Sequence, residues 1–380
     1  MDMNENRLKK LRGLGQSAWL DNLSRDLLNS GQLRKWIDDG VTGITSNPTI
    51  FQKAIAGSRD YDESLRTILA KGVSGDRELF FHLAVEDISR AADFLRPVYE
   101  STGGLDGYVS IEVSPDLAYD SEKTTAEARH LFSTIGKKNI LIKVPATRQG
   151  VPAIETLTAE GVNVNVTLLF SVKRYEEIAW AYIRGLEKRS ARGLPVADIA
   201  SVASFFVSRV DTLVDKLLES RAASSRAEAE KSRLQSLRGR AAVANAVVAY
   251  RAYREIFGGP RFRALKDARV QRILWGSTGT KNPAYSDVKY VDELIGPGSI
   301  NTLPEATLKA FLDHGNPRLT IEDDLAAAEK LFPRLAAFQI DMEQVAEQLE
   351  NEGVKLFAES FDSLLKDIRE KKKALNSQRV

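Results

Sequence analysis

The sequence contains no cysteine, which excludes disulfides, thiolate nucleophiles and cysteine-ligated zinc. Histidine is nearly as scarce: His82, His130 and His314 are the only three in 380 residues, and their scatter lacks metal-ligand spacing. Neither charge dominates, since 54 Lys and Arg against 52 Asp and Glu leave a net charge of +2. That balance gives no general attraction to nucleic acid or to a membrane surface. No apolar run approaches the ~20 residues of a membrane span. The opening residues, Met1 to Lys10, are polar and lack the apolar core of a signal peptide. These absences lead to the expectation of a soluble, cytoplasmic globular protein without metal, nucleic-acid or membrane partners.

What is present is an alternation of short apolar segments with longer amphipathic ones. Strand patterns fall at 17–23, 40–48, 107–113, 140–147, 162–169, 198–206, 272–277 and 299–303. Helical patterns precede or separate them: 5–15, 25–39 with Ser24 as its cap, 76–101, 121–135, 151–160, 172–189 and a long Ala- and Arg-rich span at 208–257. The stretch 220–239 is polar enough to be an exposed excursion. From residue 320 onward the chain reads as helical, interrupted near Gly353, with Lys371 to Lys373 as a solvated, frayed end. Eight strands alternating with helices call for an α/β fold, a (β/α)8 TIM barrel with additional helices. A doubly wound sheet is the alternative, but no Gly-x-Gly-x-x-Gly follows the first strand. The chain is expected to form one domain, with the barrel at about 17–316 and a helical extension at about 320–380.

A single lysine, Lys143, stands inside the fourth strand pattern. A free lysine has a pKa near 10.4, so about one in 2,500 is neutral at pH 7. Desolvation worth about three units leaves roughly a quarter neutral, enough to attack a carbonyl and form an imine. The alternative from the strand alone is a charge at a sheet edge that blocks edge-to-edge pairing. Strand parity separates the two. Val109, Ile111 and Val113 alternate with Ser110 and Glu112; Ile140, Ile142 and Val144 alternate with Lys143; Val162, Val164 and Val166 alternate with Asn163, Asn165 and Thr167. If the apolar sets face the helices, then Glu112, Lys143, Asn165 and Thr167 face the barrel mouth. Asp21 and Asn47 occupy similarly late positions in the first two strands. A structural barrel would fill such places with aliphatic layers; polar groups converging there cost desolvation that chemistry explains.

The segments Thr45-Ser-Asn-Pro-Thr-Ile-Phe51, Ser110-Ile-Glu-Val113, Ile140-Leu-Ile-Lys-Val-Pro-Ala146 and Asn163-Val-Asn-Val-Thr-Leu-Leu-Phe170 resemble the transaldolase family, in its longer bacterial form, over nearly the whole chain. The resemblance implies a cofactor- and metal-free aldolase-type barrel of the pentose phosphate pathway. Such an enzyme moves a dihydroxyacetone unit from sedoheptulose 7-phosphate to glyceraldehyde 3-phosphate, giving erythrose 4-phosphate and fructose 6-phosphate. Its partners would be sugar phosphates, and the chain a monomer or homodimer. By resemblance, Lys143 is the Schiff-base lysine and Asp21 the acid/base at the C4 hydroxyl. Glu112 and Thr167 position the water of imine formation and hydrolysis, and Asn47 and Asn165 hold substrate hydroxyls. Asn47, standing before Pro48, is also open to simple turn chemistry. Ser204, Arg209 and Ser277 match phosphate-end residues. Many relatives carry an arginine close behind the serine of the seventh strand; here the cation is Lys281, set further along, and it is expected to take that role. Two other readings remain: a fructose 6-phosphate aldolase, which typically has glutamine and tyrosine where this chain has Glu112 and Phe206, and a non-catalytic sugar-phosphate-binding barrel.

Overall fold

The computed structural model describes residues 6–323 and 325–377. Eight parallel strands, β1 (Ser17–Asp21), β2 (Val41–Thr45), β3 (Tyr108–Glu112), β4 (Ile140–Pro145), β5 (Val164–Leu169), β6 (Ser201–Phe206), β7 (Gln271–Gly276) and β8 (Ile300–Leu303), pair in sequence order and close into a barrel. This is the expected (β/α)8 architecture, in strands one to four residues shorter than their sequence patterns except β7, which keeps its length one residue earlier. The apolar parity of each strand packs outward on the helices. Val109, Ile111, Ile140, Ile142, Val144, Val164 and Val166 all belong to the main core between strands and helices.

The inward parity builds a separate, smaller core at the barrel floor from Trp19, Tyr108, Leu141, Ala200, Val202, Leu274 and Ile300. Trp19 is wholly buried there, and β2 makes room for it with Gly43. A Cβ on Gly43 would lie 2.4 Å from the indole, closer than any real contact allows. Below this layer Arg272 closes the N-terminal end, donating to the Ser17 hydroxyl at 2.7 Å and pairing with Asp106 at 3.3 Å. The polar residues of the sequence motifs therefore sit above an apolar floor, at the C-terminal rim.

Several elements differ from expectation. The pattern at 25–39 forms two helices, Arg25–Asn29 and Gln32–Asp39, because Gly31 adopts a left-handed conformation between them. Ser24 does cap the first, accepting from the Leu27 amide at 3.1 Å. The 208–257 span resolves into Ser208–Ser224, Glu228–Gln235 and Ala241–Gly258, the middle helix largely exposed. The C-terminal helix (Met342–Ser377) runs unbroken through Gly353 for 36 residues. Its basic end is not a solvated fray: Lys371 lies 3.5 Å from Asp62, and Lys372 and Arg369 both reach Asp76, at 2.8 and 2.7 Å. The first five residues of the polar N-terminal stretch, and residues 378–380 of the extension, lie outside the described residues. Among those described, no helix is long and apolar enough to cross a membrane.

Candidate active site

Register brings the motif residues together. Across β3, β4 and β5, Glu112 stands beside Lys143 and Lys143 beside Asn165. Because all eight strands run the same way, their last inward-facing residues converge on one rim. Lys143 is only 4% exposed. Its ammonium donates to the Ser46 carbonyl at 3.0 Å and lies 3.4 Å from Glu112 Oε2. The edge-charge alternative is thereby ruled out by geometry, since β4 has a partner on each side and its lysine points into the ring.

Above Lys143 opens a cavity of 340 Å³ whose lining includes Asp21, Asn47, Ser204, Arg209, Ser277 and Lys281. Larger clefts of 470 and 520 Å³ lie between outer helices, but no barrel-interior side chain faces them. Glu112, Asn165 and Thr167 stand behind the lining. Glu112 borders a cavity of 10 Å³ shared with Asn47 and Phe361, about the space of one water. The Thr167 hydroxyl and Glu112 Oε1 are buried without hydrogen-bond partners, and Glu112 Oε2 meets only the Lys143 ammonium, 3.4 Å away. Unpaired buried acceptors of this kind are costly and mark a place where a ligand or water belongs. Asn165 is fixed from two sides: its amide donates to the Ser110 hydroxyl at 3.0 Å, and its carbonyl accepts from Ser204 at 2.7 Å. Asn47 performs turn chemistry as well as lining the cavity, since its Oδ1 caps the helix Pro48–Ile55 by accepting from the Ile50 amide at 3.0 Å. What it offers a ligand is its amide donor.

The acids are tuned by depth. Burial pushes the Asp21 carboxyl above the ordinary range, against the pull of Lys143, a hydrogen bond from Thr45, and the more distant Lys281 and Arg209. Burial likewise pushes Glu112 up to about 6, although Lys143 attracts the ionised form. Two carboxyl groups held above their usual range beside one buried amine is an acid–base constellation. At the outer end, burial lowers Arg209 from its usual value. Among the described residues no carboxylate forms a salt bridge with Arg209 or with Lys281.

Sequence reasoning missed four contributors. Thr45 donates to Asp21 Oδ1 at 2.6 Å and meets Thr302 at 2.7 Å, so two threonines orient the Asp21 carboxyl. Parity in β2 and β8 puts both inside, a signal that was available. Leu356 and Phe357 of the C-terminal helix also line the cavity. No local pattern announces that, because it depends on where a distant helix crosses the rim. A bulge between β5 and β6 likewise escapes parity: Leu168 takes a φ of 56° and turns toward that helix.

Comparison with known proteins agrees with this constellation. Residues 18–368 match the family described as Transaldolase/Fructose-6-phosphate aldolase. The transaldolase of Trichodesmium erythraeum is 46% identical over 97% of this chain and 98% of its own length. The transaldolase of Saccharopolyspora erythraea is 48% identical, again over 97% and 98%, and that of Thiobacillus denitrificans 48% identical over 96% and 99%. With the closed barrel, the buried lysine and full-length likeness to these enzymes, the chain belongs to the transaldolase family and is an enzyme of that activity.

Proposed function

We propose that transaldolase turnover in this chain runs through a Schiff base on Lys143. The observation that carries the reading is the Lys143 amine itself, 4% exposed at the foot of a polar cavity and 3.4 Å from a carboxylate. Lys143 adds to the C2 carbonyl of a ketose phosphate, and loss of water gives a protonated imine. Asp21 takes the proton of the C4 hydroxyl as the bond between C3 and C4 breaks, its electrons passing into the imine to leave an enamine. The aldose phosphate whose aldehyde forms at C4 departs, a second aldose phosphate enters, the enamine carbon adds to its aldehyde, and Asp21 returns the proton. Water, held by Glu112 and Thr167, finally hydrolyses the new imine. Asn47 and Asn165 align substrate hydroxyls, and Ser204 holds Asn165 in place. Arg209, Ser277 and Lys281 take the phosphate, the planar guanidinium supplying two parallel donors. Sedoheptulose 7-phosphate as donor and glyceraldehyde 3-phosphate as acceptor fit a cavity with cations at its outer end. The cytoplasm is the compartment in which such metabolites would be met.

Phe206 favours transfer over simple release of dihydroxyacetone. It lines the cavity as a bare ring, stacked edge-on against Phe170 at 5.3 Å, and brings no hydroxyl to the enamine. Borohydride reduction in the presence of fructose 6-phosphate tests the proposal. A mass adduct should appear on the Lys143 peptide and disappear in Lys143→Ala. An unmodified peptide, or a Lys143→Ala enzyme that still transfers, would reject it.

A further inference from the structure

We infer that Phe357, on the C-terminal helix, is a positioning residue for the Arg209 guanidinium and thereby sets how strongly the enzyme prefers phosphorylated sugars. The inference rests on the reading of Arg209 as a phosphate contact. The Arg209 Cζ lies over two rings, 5.5 Å from the centroid of Phe206 and 6.0 Å from that of Phe357. Ring faces attract a cation without neutralising it. A carboxylate in their place would hold the side chain equally still but would compete with the phosphate for its donors. Arginine carries much rotamer freedom, which must be lost on binding unless it is removed beforehand. Two rings remove part of it and leave the donors free.

Both rings are themselves fixed. Phe206 is held by Phe170 from β5's far end, and Phe357 is 3% exposed on a stripe that continues through Phe361 and Leu364. Thr49 donates to Ser360 at 2.9 Å, tying that stretch to the helix Pro48–Ile55. One turn before Phe357, Gly353 lets the C-terminal helix come close. A Cβ there would stand 2.8 Å from Leu168 Cδ2 and 3.6 Å from Arg209 Nη1. The missing side chain and the aromatic one, four residues apart on a single helix face, therefore address the same guanidinium.

Phe357→Leu keeps the bulk and removes the ring face. The quantity to measure is the ratio of kcat/KM for fructose 6-phosphate to kcat/KM for unphosphorylated fructose, with the same acceptor. The ratio should fall about tenfold, mainly through KM for the phosphorylated sugar, as expected for loss of a partly desolvated cation–ring contact. Competitive inhibition by inorganic phosphate should weaken in parallel. Phe357→Tyr or Phe357→Trp should restore the ratio, and Phe357→Met replaces the leucine variant if that one does not fold. A ratio equal to that of the parent enzyme, whatever happens to overall activity, overturns the inference and leaves Phe357 as packing. Arg209→Ala measured alongside keeps the two readings apart: a ratio that falls there but not in Phe357→Leu overturns the inference alone, and a ratio unchanged in both overturns the phosphate reading of Arg209 and the inference with it.

Discussion

At the scale of single residues, the chemistry depends on groups held away from their usual protonation. Glu112, lifted to about 6 by burial, and Asp21, lifted in the same direction, are both expected to act as bases. Activity should therefore rise with pH through an acid limb near 6, where Glu112 ionises. Glu112→Gln should lower kcat by about 100-fold or more, the usual scale for a lost acid–base group, and remove that step from the profile. A pH–rate profile on the two enzymes checks this; an unchanged limb would remove Glu112 from the proton chemistry. A third buried acid acts on stability instead. Burial pushes Asp211 up to about 6, opposed by hydrogen bonds from the Ala242 amide and the Tyr290 hydroxyl. For a carboxyl raised in the folded state, the favourable contribution is complete below its ordinary value of 3.8 and lost as pH rises through about 6. Asp211→Asn keeps the acceptor for Ala242 and cannot ionise. Its melting temperature relative to the parent should become more favourable between pH 4 and pH 7, which thermal melts at both values will show.

At the scale of elements, strands and their facing were legible in the sequence and helix ends much less so. Alternation in β3, β4 and β5 placed Glu112, Lys143, Asn165 and Thr167 correctly on the inside because a strand has only two faces. At Leu168 a bulge adds a residue and redirects the chain, which two-face alternation has no means to anticipate. The sequence predicts a break at Gly353 because glycine disfavours helices by about 1 kcal/mol. In the fold it is a place of close approach, and the flanking turns carry the helix through. The basic end of that helix was read as solvated because charge in a terminal segment has no visible partner in the sequence. Its partners, Asp62 and Asp76, lie about 300 residues earlier. Hydrogen bonding to Lys372, ahead of Arg369, holds Asp76 below its usual range. Asp76→Asn should loosen the last turns: hydrogen exchange there should quicken while the barrel strands stay protected. The global melting temperature should shift by no more than about 2 °C, since ion pairs with one side open to water contribute about 1 kcal/mol or less. Faster exchange in the strands would mean that the clamp supports the barrel rather than the helix alone.

At the scale of the whole molecule, the site has two unequal parts. One is drawn from strand ends and was readable from motifs and parity; the other is drawn from a helix that the sequence places far from every motif. The family's marks concentrate in the first part, which is why Lys143, Asp21 and Glu112 were apparent while Phe357 was not. The order of synthesis adds a consequence. The last barrel strand ends at Leu303, and the helix that brings Phe357 to Arg209 occupies Met342–Ser377. At roughly 5–20 residues per second on the ribosome, its 36 residues take a few seconds to make. A nascent chain can thus own its reactive amine before it owns the full grip on its substrate's charged end, and the newborn enzyme would discriminate among sugars less well than the released one.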